Sequence, residues 1–482
     1  MTTTISSIID GERIAGTSSN TDVNPSDLSD VVREYGHVDA QVALDAIAAA
    51  KAAFPAWAAT TPWQKAEILD RAGTEILARA DELGDLLARE EGKTLPEARG
   101  EVVRAGQIFK YFAGDVMQPH GHALDSIRPG LDITVTREPL GVVSVITPWN
   151  FPIAIPAWKI APAIAYGNTV VFKPAELVPG SAYELVDILH RAGLPKGVVN
   201  LVLARGSVVG PIMTTHKDIN AVTFTGSVGT GKGILAAEAP LYRKVQLELG
   251  GKNPLVVVDD ANLNVAVESL VQGGFGSTGQ RCTASSFAVV TDAIHDKFVA
   301  AVNERLGKWK TGDARGAGID MGPVVDPSQL EQDLRYIELA RSEGGQVVGG
   351  EVLDLGTKGH YLSPALVVGT KATDTINREE VFGPVVSVVR VADYEEALAV
   401  ANSSEMNLSA GICTTDLAKA SHFKRHSKAG MVMVNLPTAG VDPHVPFGGK
   451  GDSSHGPREQ GFAAVDFFTS SKTAYTNPGA PA

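Results

Sequence analysis

Apolar residues recur every three to four positions over residues 40–57 and again over 65–91, where Ile68, Leu69, Ala72, Ile76, Leu77, Ala80 and Leu83 would share one helical face. Such faces need a larger body to cover them. Helical spacing continues over 101–112. Residues 114–130 are polar and rich in turn formers, and 131–136 alternate as a strand does. This alternating piece between two larger blocks reads as an excursion from the main body. From Val142 the pattern changes to short β-branched runs at 142–147, 169–172, 198–202 and 221–225. The helical pieces between them, such as 181–192, are long enough for crossover connections, which predicts a parallel sheet in an α/β domain. A second α/β block follows, with runs at 255–258, 287–290, 385–391 and 431–434 and helices over 261–272 and 292–309. The tail over 462–475 alternates weakly and is expected to pair with the excursion or with another subunit.

Length and composition narrow the classes of function. A chain of 482 residues with 44% hydrophobic and 20% charged residues describes a packed protein of two or three domains. Its net charge of -13, without runs of Lys and Arg, disfavours a nucleic-acid surface and favours a small-molecule partner. The most apolar stretch, 140–172, has Lys159 as its one charge, but Pro148, Pro152, Pro156 and Pro162 argue against a membrane span. With Cys282 and Cys413 the sole cysteines, and with neither a basic n-region nor a long apolar stretch at Met1–Ile5, the expected home is a reducing cytoplasm.

Ligands of parallel sheets gather at the carboxyl ends of strands, so the polar residues past each run deserve inspection. Cys282 lies in a polar, glycine-rich turn, 275–283, in which Arg281 could favour the nucleophilic thiolate; the bland reading is an inert thiol, and Cys413 keeps that reading. No histidine stands in a cysteine-protease context. Glu248 ends an apolar run at two glycines, where a partly buried carboxylate can serve as base, or simply cap or pair. The loop 224–233 follows a strand and opens a helix, as a phosphate-binding turn does. Its Gly226, Gly231 and Lys232 meet most of the P-loop pattern, so a nucleoside-triphosphate protein is an alternative, although Gly233 stands where a hydroxyl should ligate magnesium. Asn150 could donate to an oxyanion or merely shape a turn; Lys173 and Glu176 could hold a ribose or be a solvated pair.

Together these pieces resemble the aldehyde dehydrogenase family. Seven of its strings occur in the family's order: TPWNFP (147–152), KPAE (173–176), FTGS (224–227), ELGGKNP (248–254), GQRC (279–282), EEVFGP (379–384) and PFGG (446–449). The resemblance implies an α/β fold with a Rossmann-type cofactor domain (1–116 and 140–250), an α/β catalytic domain (251–452) and a small β oligomerisation element (117–139 and 453–482). It implies NAD(P)-dependent oxidation of an aldehyde to an acid, with hydrolytic rather than coenzyme-A-acylating release. Cys282 would attack the aldehyde, Asn150 and the Cys282 N–H would hold the oxyanion, and Glu248 would activate water. NAD, with NADP as second choice, would meet Thr147, Trp149, Lys173, Glu176, Gly226, Ser227, Thr230, Leu249, Glu380 and Phe382. No metal is expected. The strings at 279–286 and 435–449 look most like α-ketoglutaric semialdehyde (2,5-dioxopentanoate) dehydrogenases, with succinic or glutaric semialdehyde or an aromatic aldehyde as alternatives. Arg281 would then be the partner of a substrate carboxylate, with Phe151, Trp158 and Thr438 also lining the tunnel. The excursion and tail would join across subunits in a homodimer or homotetramer.

Overall fold

The structure, a computed structural model, describes residues 3–118 and 120–479. Strands Lys244–Glu248, Ala221–Thr225, Val142–Ile146, Thr169–Lys173 and Val199–Leu201 lie side by side and parallel. Ser7–Ile9 and Glu12–Ile14 add an antiparallel hairpin at one edge, and Ser454–His455 close the other. Both faces of this first sheet are covered. Val143, Val145, Val170 and Phe172 pack against the helices Leu95–Asp115, Ala154–Ala165 and Pro179–Arg191. Val142, Val171, Val222 and Phe224 pack in a second core against Ala40–Ala58 and Gly206–Thr215. Burial on both faces is why these strands read as unbroken apolar runs rather than as alternation.

The second sheet runs Gln346–Gly349, Ala365–Thr370, Val385–Val391, Ser285–Thr291, Asn253–Val257, Ser409–Cys413 and Met431–Val434; all its neighbours are parallel except the first pair. Residues 249–252 alone separate the carboxyl end of the first sheet from the amino end of the second. The two sheets are thereby joined through the end of one strand and the start of the next, with a cleft beside the link.

Several expectations need correction. The helical pattern over 65–91 is two helices, Pro62–Ala78 and Ala80–Glu91, broken at Arg79, whose φ of -99° and ψ of 19° leave the helical region. The tail does not begin as a strand: Ala464–Phe468 is a short helix, and only Thr469–Thr476 is extended. That strand pairs antiparallel with Asp132–Pro139, which pairs in turn with His122–Asp125, so tail and excursion form one projecting sheet within the chain. Residues 453–468 belong elsewhere, because Ser454–His455 sit in the first sheet and Ala464, Phe467 and Phe468 in its core. The apolar stretch 140–172 folds as strand, fully buried helix Ala154–Ala165 and strand. Among the described residues no helix is long and apolar enough to cross a membrane.

Candidate active site

The residues past the strands of the first sheet converge because parallel strands all end at the same edge. Asn150 and Trp149 follow Val142–Ile146, Gly226 and Ser227 follow Ala221–Thr225, and Leu249 and Gly250 follow Lys244–Glu248. From the second sheet the opposite end contributes: Cys282 stands just before Ser285–Thr291, and Glu380 and Phe382 just before Val385–Val391. A search of strand carboxyl ends alone would therefore miss the thiol and Glu380.

The turn that presents Cys282 is strained. Ser277, Thr278 and Gly279 all have positive φ, at 48°, 57° and 66°. Such residues persist only where their surroundings hold them. Glu97 Oε1 accepts from Ser277 N at 2.8 Å, Gly322 O accepts from Thr278 Oγ1 at 3.2 Å, and Gln280 Oε1 accepts from Val325 N at 3.0 Å. At Gly279 a Cβ would stand 2.2 Å from the carbonyl oxygen of Gly383, so glycine is required. Asn253 Nδ2 then donates to the Cys282 carbonyl at 2.8 Å.

Cys282 is the one residue that lines both of two cavities. The first, about 260 Å³, is walled by Trp149, Asn150, Ser227, Leu249, Glu380 and Phe382. The second, about 240 Å³, is walled by Lys93, Arg104, Phe151, Trp158, Arg281 and Val441. Burial, then the carboxylates of Glu380 and Glu248, push the thiol up to about 12. Arg281 does not counter this. Its Nη2 donates to Glu97 Oε1 at 2.7 Å, and the thiolate-favouring role expected of it is lost to that ion pair. Asn150 Nδ2 donates to the Gln280 carbonyl at 3.0 Å, which leaves the second amide hydrogen unused beside Cys282. The carbonyl of Asn150 accepts from Lys93 Nζ at 2.7 Å, and Lys93 also donates to Glu101 Oε2 at 2.7 Å.

Glu248 lines neither cavity. Its Oε2 accepts from Ser454 Oγ at 2.6 Å, and burial followed by the neighbouring Glu459 raises it well above the usual carboxylate range. Glu459 is ion-paired with Lys159, which also donates to Thr223 Oγ1 at 2.7 Å. This buried set was missed from sequence; the one signal was Lys159, the lone charge of its apolar stretch.

On the first cavity's wall, Glu380 Oε1 accepts from Gly251 N at 2.8 Å, and burial raises it to about 7. A Cβ at Gly250 would stand 2.2 Å from Glu380 Oε2, so this glycine allows the carboxylate to lie on the backbone. Phe382 meets Trp149 edge to face at 5.4 Å. Ser227 caps the helix Val228–Glu238, its Oγ accepting from Thr230 N, and Thr230 is exposed on the first turn. Lys173 and Glu176 form a neighbouring cluster: Lys173 Nζ donates to the Pro174 carbonyl at 2.8 Å, and Glu176 Oε1 accepts from Gly206 N at 2.9 Å. His37 Nε2 stands 3.6 Å from Glu176 Oε2, a neighbour no motif announced. Thr147 is buried, with its hydroxyl unpartnered, outside the first cavity. Thr438 is also removed from the second cavity's wall: it is fully buried and donates to the Thr283 carbonyl at 2.8 Å. Lys232, the lysine of the P-loop-like string, pairs at 2.7 Å with Asp452. Among the described residues no group of three or more His, Cys, Asp or Glu could hold a metal ion.

A thiol between two cavities, one of them backed by glycine turns and a helix N-terminus, matches known proteins along the whole chain. The α-ketoglutaric semialdehyde dehydrogenase of Bacillus subtilis is 42% identical over 458 residues, 94% of each chain. The α-ketoglutarate semialdehyde dehydrogenase of Haloferax volcanii is 43% identical over 98% of this chain and 99% of its own length. The 2,5-dioxopentanoate dehydrogenase of Saccharolobus solfataricus is 39% identical over 94% of this chain and 95% of its own. Among solved structures, betaine aldehyde dehydrogenase from Staphylococcus aureus in complex with NAD+ superposes with a TM-score of 0.95 at 33% identity, covering 99% of this chain and 95% of that one. The aldehyde dehydrogenase family model matches residues 14–474, and the chain belongs to that family.

Proposed function

We propose that this NAD-dependent aldehyde dehydrogenase oxidises α-ketoglutaric semialdehyde to 2-oxoglutarate. The observation that carries the reading of the chemistry is Cys282 standing between the two cavities, with room for an aldehyde on one side and a cofactor on the other. The names and full-length coverage of the three semialdehyde dehydrogenases support the substrate.

The first cavity suits NAD. Ser227 at a helix N-terminus offers backbone donors to a pyrophosphate, and the Glu176 carboxylate, already oriented by Gly206 N, suits a ribose hydroxyl pair and repels a 2′-phosphate. Lys173 stands near Glu176, Thr230 lies on the first turn of the helix that Ser227 caps, and Glu380, Phe382, Trp149, Gly226 and Leu249 line the cavity. When bound, NAD accepts the hydride that leaves the former aldehyde carbon. The chain's own residues do the rest. The Cys282 thiol gives its proton to solvent as its sulfur forms a bond to the carbonyl carbon, and the electron pair of the C=O bond moves to oxygen. The free Asn150 amide hydrogen and the Cys282 N–H receive that oxyanion, as preorganised donors that need no solvent rearrangement. After oxidation to the thioester, Glu248 takes a proton from water. The hydroxide attacks the carbonyl, and the carbon–sulfur bond breaks to return the thiolate. For this Glu248 must leave Ser454 and swing toward Cys282; the raised proton affinity that burial and Glu459 give it suits a general base.

The same reading assigns the first sheet to the cofactor domain, the second to the catalytic domain, and the projecting sheet to oligomerisation. Strand Thr469–Thr476 is exposed over seven of its eight residues and has one paired edge, so its other edge is free to join a second copy in a homodimer or homotetramer. A nucleophilic thiol with one further, buried cysteine suits a reducing cytoplasm. The test is NADH formation across α-ketoglutaric, succinic and glutaric semialdehydes, pentanal and benzaldehyde, with NAD and NADP. The highest kcat/KM is expected for α-ketoglutaric semialdehyde with NAD. A tenfold preference for any of the others would overturn the substrate assignment.

A further inference from the structure

Three cationic side chains reach the wall of the second cavity, Lys93, Arg104 and Arg281. They differ in what already holds them. Lys93 is ion-paired with Glu101, and Arg281 with Glu97, each at 2.7 Å. Their charges are met inside the protein. Arg104, on the helix Leu95–Asp115, forms no ion pair among the described residues. Its Nη2 donates at 3.1 Å to Gln460 Oε1, a neutral amide, and its Nε is buried without a partner. The guanidinium carbon lies 5.5 Å from the centroid of the Trp158 ring, which is itself stacked on Phe447 at 5.5 Å.

A guanidinium stays charged when partly buried, and leaving it without a direct ionic partner is unfavourable. The surroundings are nonetheless built to keep it in place. Gln460 has a φ of 62° and ψ of 168°, a region that a residue with a side chain occupies only under strain. Its own Nε2 is buried and unpartnered, a second unused donor beside the first. Burial disfavours the Arg104 charge, while the carboxylates of Glu101 and Asp442, neither of them in an ion pair with it, and then Cys282 favour it. A partly buried cation with no direct ion pair among the described residues, on the wall of the cavity that ends at Cys282, has the form of a site whose anion arrives with the substrate.

We propose that Arg104, rather than Arg281, binds the carboxylate of the substrate, and that Trp158 and Gln460 are positioning residues that hold its guanidinium toward the second cavity. The proposal rests on the carboxylate-bearing substrate argued above. It adds the group that makes the choice: a planar fork that takes a carboxylate through two parallel N–H···O bonds at the end of the chain remote from the aldehyde. Arg281 could do this only after giving up Glu97, which also secures the strained turn through Ser277.

The experiment compares kcat/KM for α-ketoglutaric semialdehyde with that for pentanal, a five-carbon aldehyde without charge, in the wild-type enzyme, Arg104→Met, Arg104→Lys and Gln460→Leu. The wild-type ratio is expected to be large and to fall by about 100-fold or more in Arg104→Met, because a site built for hydrogen bonds then faces the carboxylate with none. Most of that loss should appear in KM. Arg104→Lys should keep part of the ratio through its charge, and Gln460→Leu should raise KM for the carboxylated aldehyde more than for pentanal. A wild-type ratio near one sinks the carboxylate reading itself. A large wild-type ratio that survives in Arg104→Met overturns the assignment of Arg104 while the substrate class stands. Equal losses for both aldehydes in Arg104→Met and Arg104→Lys also overturn it, since they mark a residue that only supports the fold.

Discussion

Replacing Glu380 by Gln gives a direct measure of how the protein controls its nucleophile. After burial, Glu380 is the largest contributor to pushing the Cys282 thiol up to about 12, so at pH 8 the thiol is protonated in nearly every molecule. Like charges a few Å apart at an effective dielectric of about 20 repel by a few kcal/mol, and a net effect of about 1.4–2.7 kcal/mol is a factor of about 10–100 in thiolate. Glu380 itself titrates at about 7, so its charge is present above that pH and absent below it. The assay is the rate of inactivation of the cofactor-free enzyme by iodoacetamide as a function of pH. Cys413 is fully buried and offers no competing site. The wild-type rate should climb well short of tenfold per pH unit from about 7 to 8.5, where the Glu380 charge appears, and steepen toward pH 10. Glu380→Gln should react about 10–100 times faster at pH 8.5 and no faster than wild type at pH 6. A wild-type rate that rises a full tenfold per unit through pH 7 to 8.5, or equal rates for the two enzymes at pH 8.5, would refute the electrostatic argument.

Three further outcomes are expected. Cys282→Ala should form no NADH while still binding NAD, measurable by fluorescence titration, and Glu248→Gln should keep a burst of NADH before a slow steady state; an unchanged steady state would remove Glu248 from hydrolysis. Lys159→Met leaves Glu459 buried, uncompensated and beside Glu248, and should destabilise the fold by about 3–5 kcal/mol, read as a lowered urea midpoint. A chain ending at Thr469 loses the outer strand of the projecting sheet and should fall to a smaller assembly by light scattering, with retention of the full-length assembly counting against that strand as an interface.

The sequence already carried the chemistry. Seven strings carry the positions proposed as nucleophile, oxyanion donor, general base and cofactor contacts, because each string answers a local geometric demand. Gly279 must pass within reach of Gly383 O, Gly250 must accept the Glu380 carboxylate, and Ser227 must cap a helix. The central strands were legible too, since burial on both faces removes polar residues from them. Less legible were short or mixed strands such as Lys244–Glu248 and Val31–Tyr35, whose polar residues obscure the pattern. What only the tertiary structure decided is how charges are shared among residues far apart in the chain. Glu97 and Arg281 are separated by 184 positions, Lys159 and Glu459 by 300, and Arg104 and Gln460 by 356. No local pattern records such partners. Arg281, adjacent to the nucleophile, therefore looked like the substrate's partner, whereas packing gives it to Glu97 and leaves Arg104 unpaired, because a charge's availability depends on which acids the fold brings beside it.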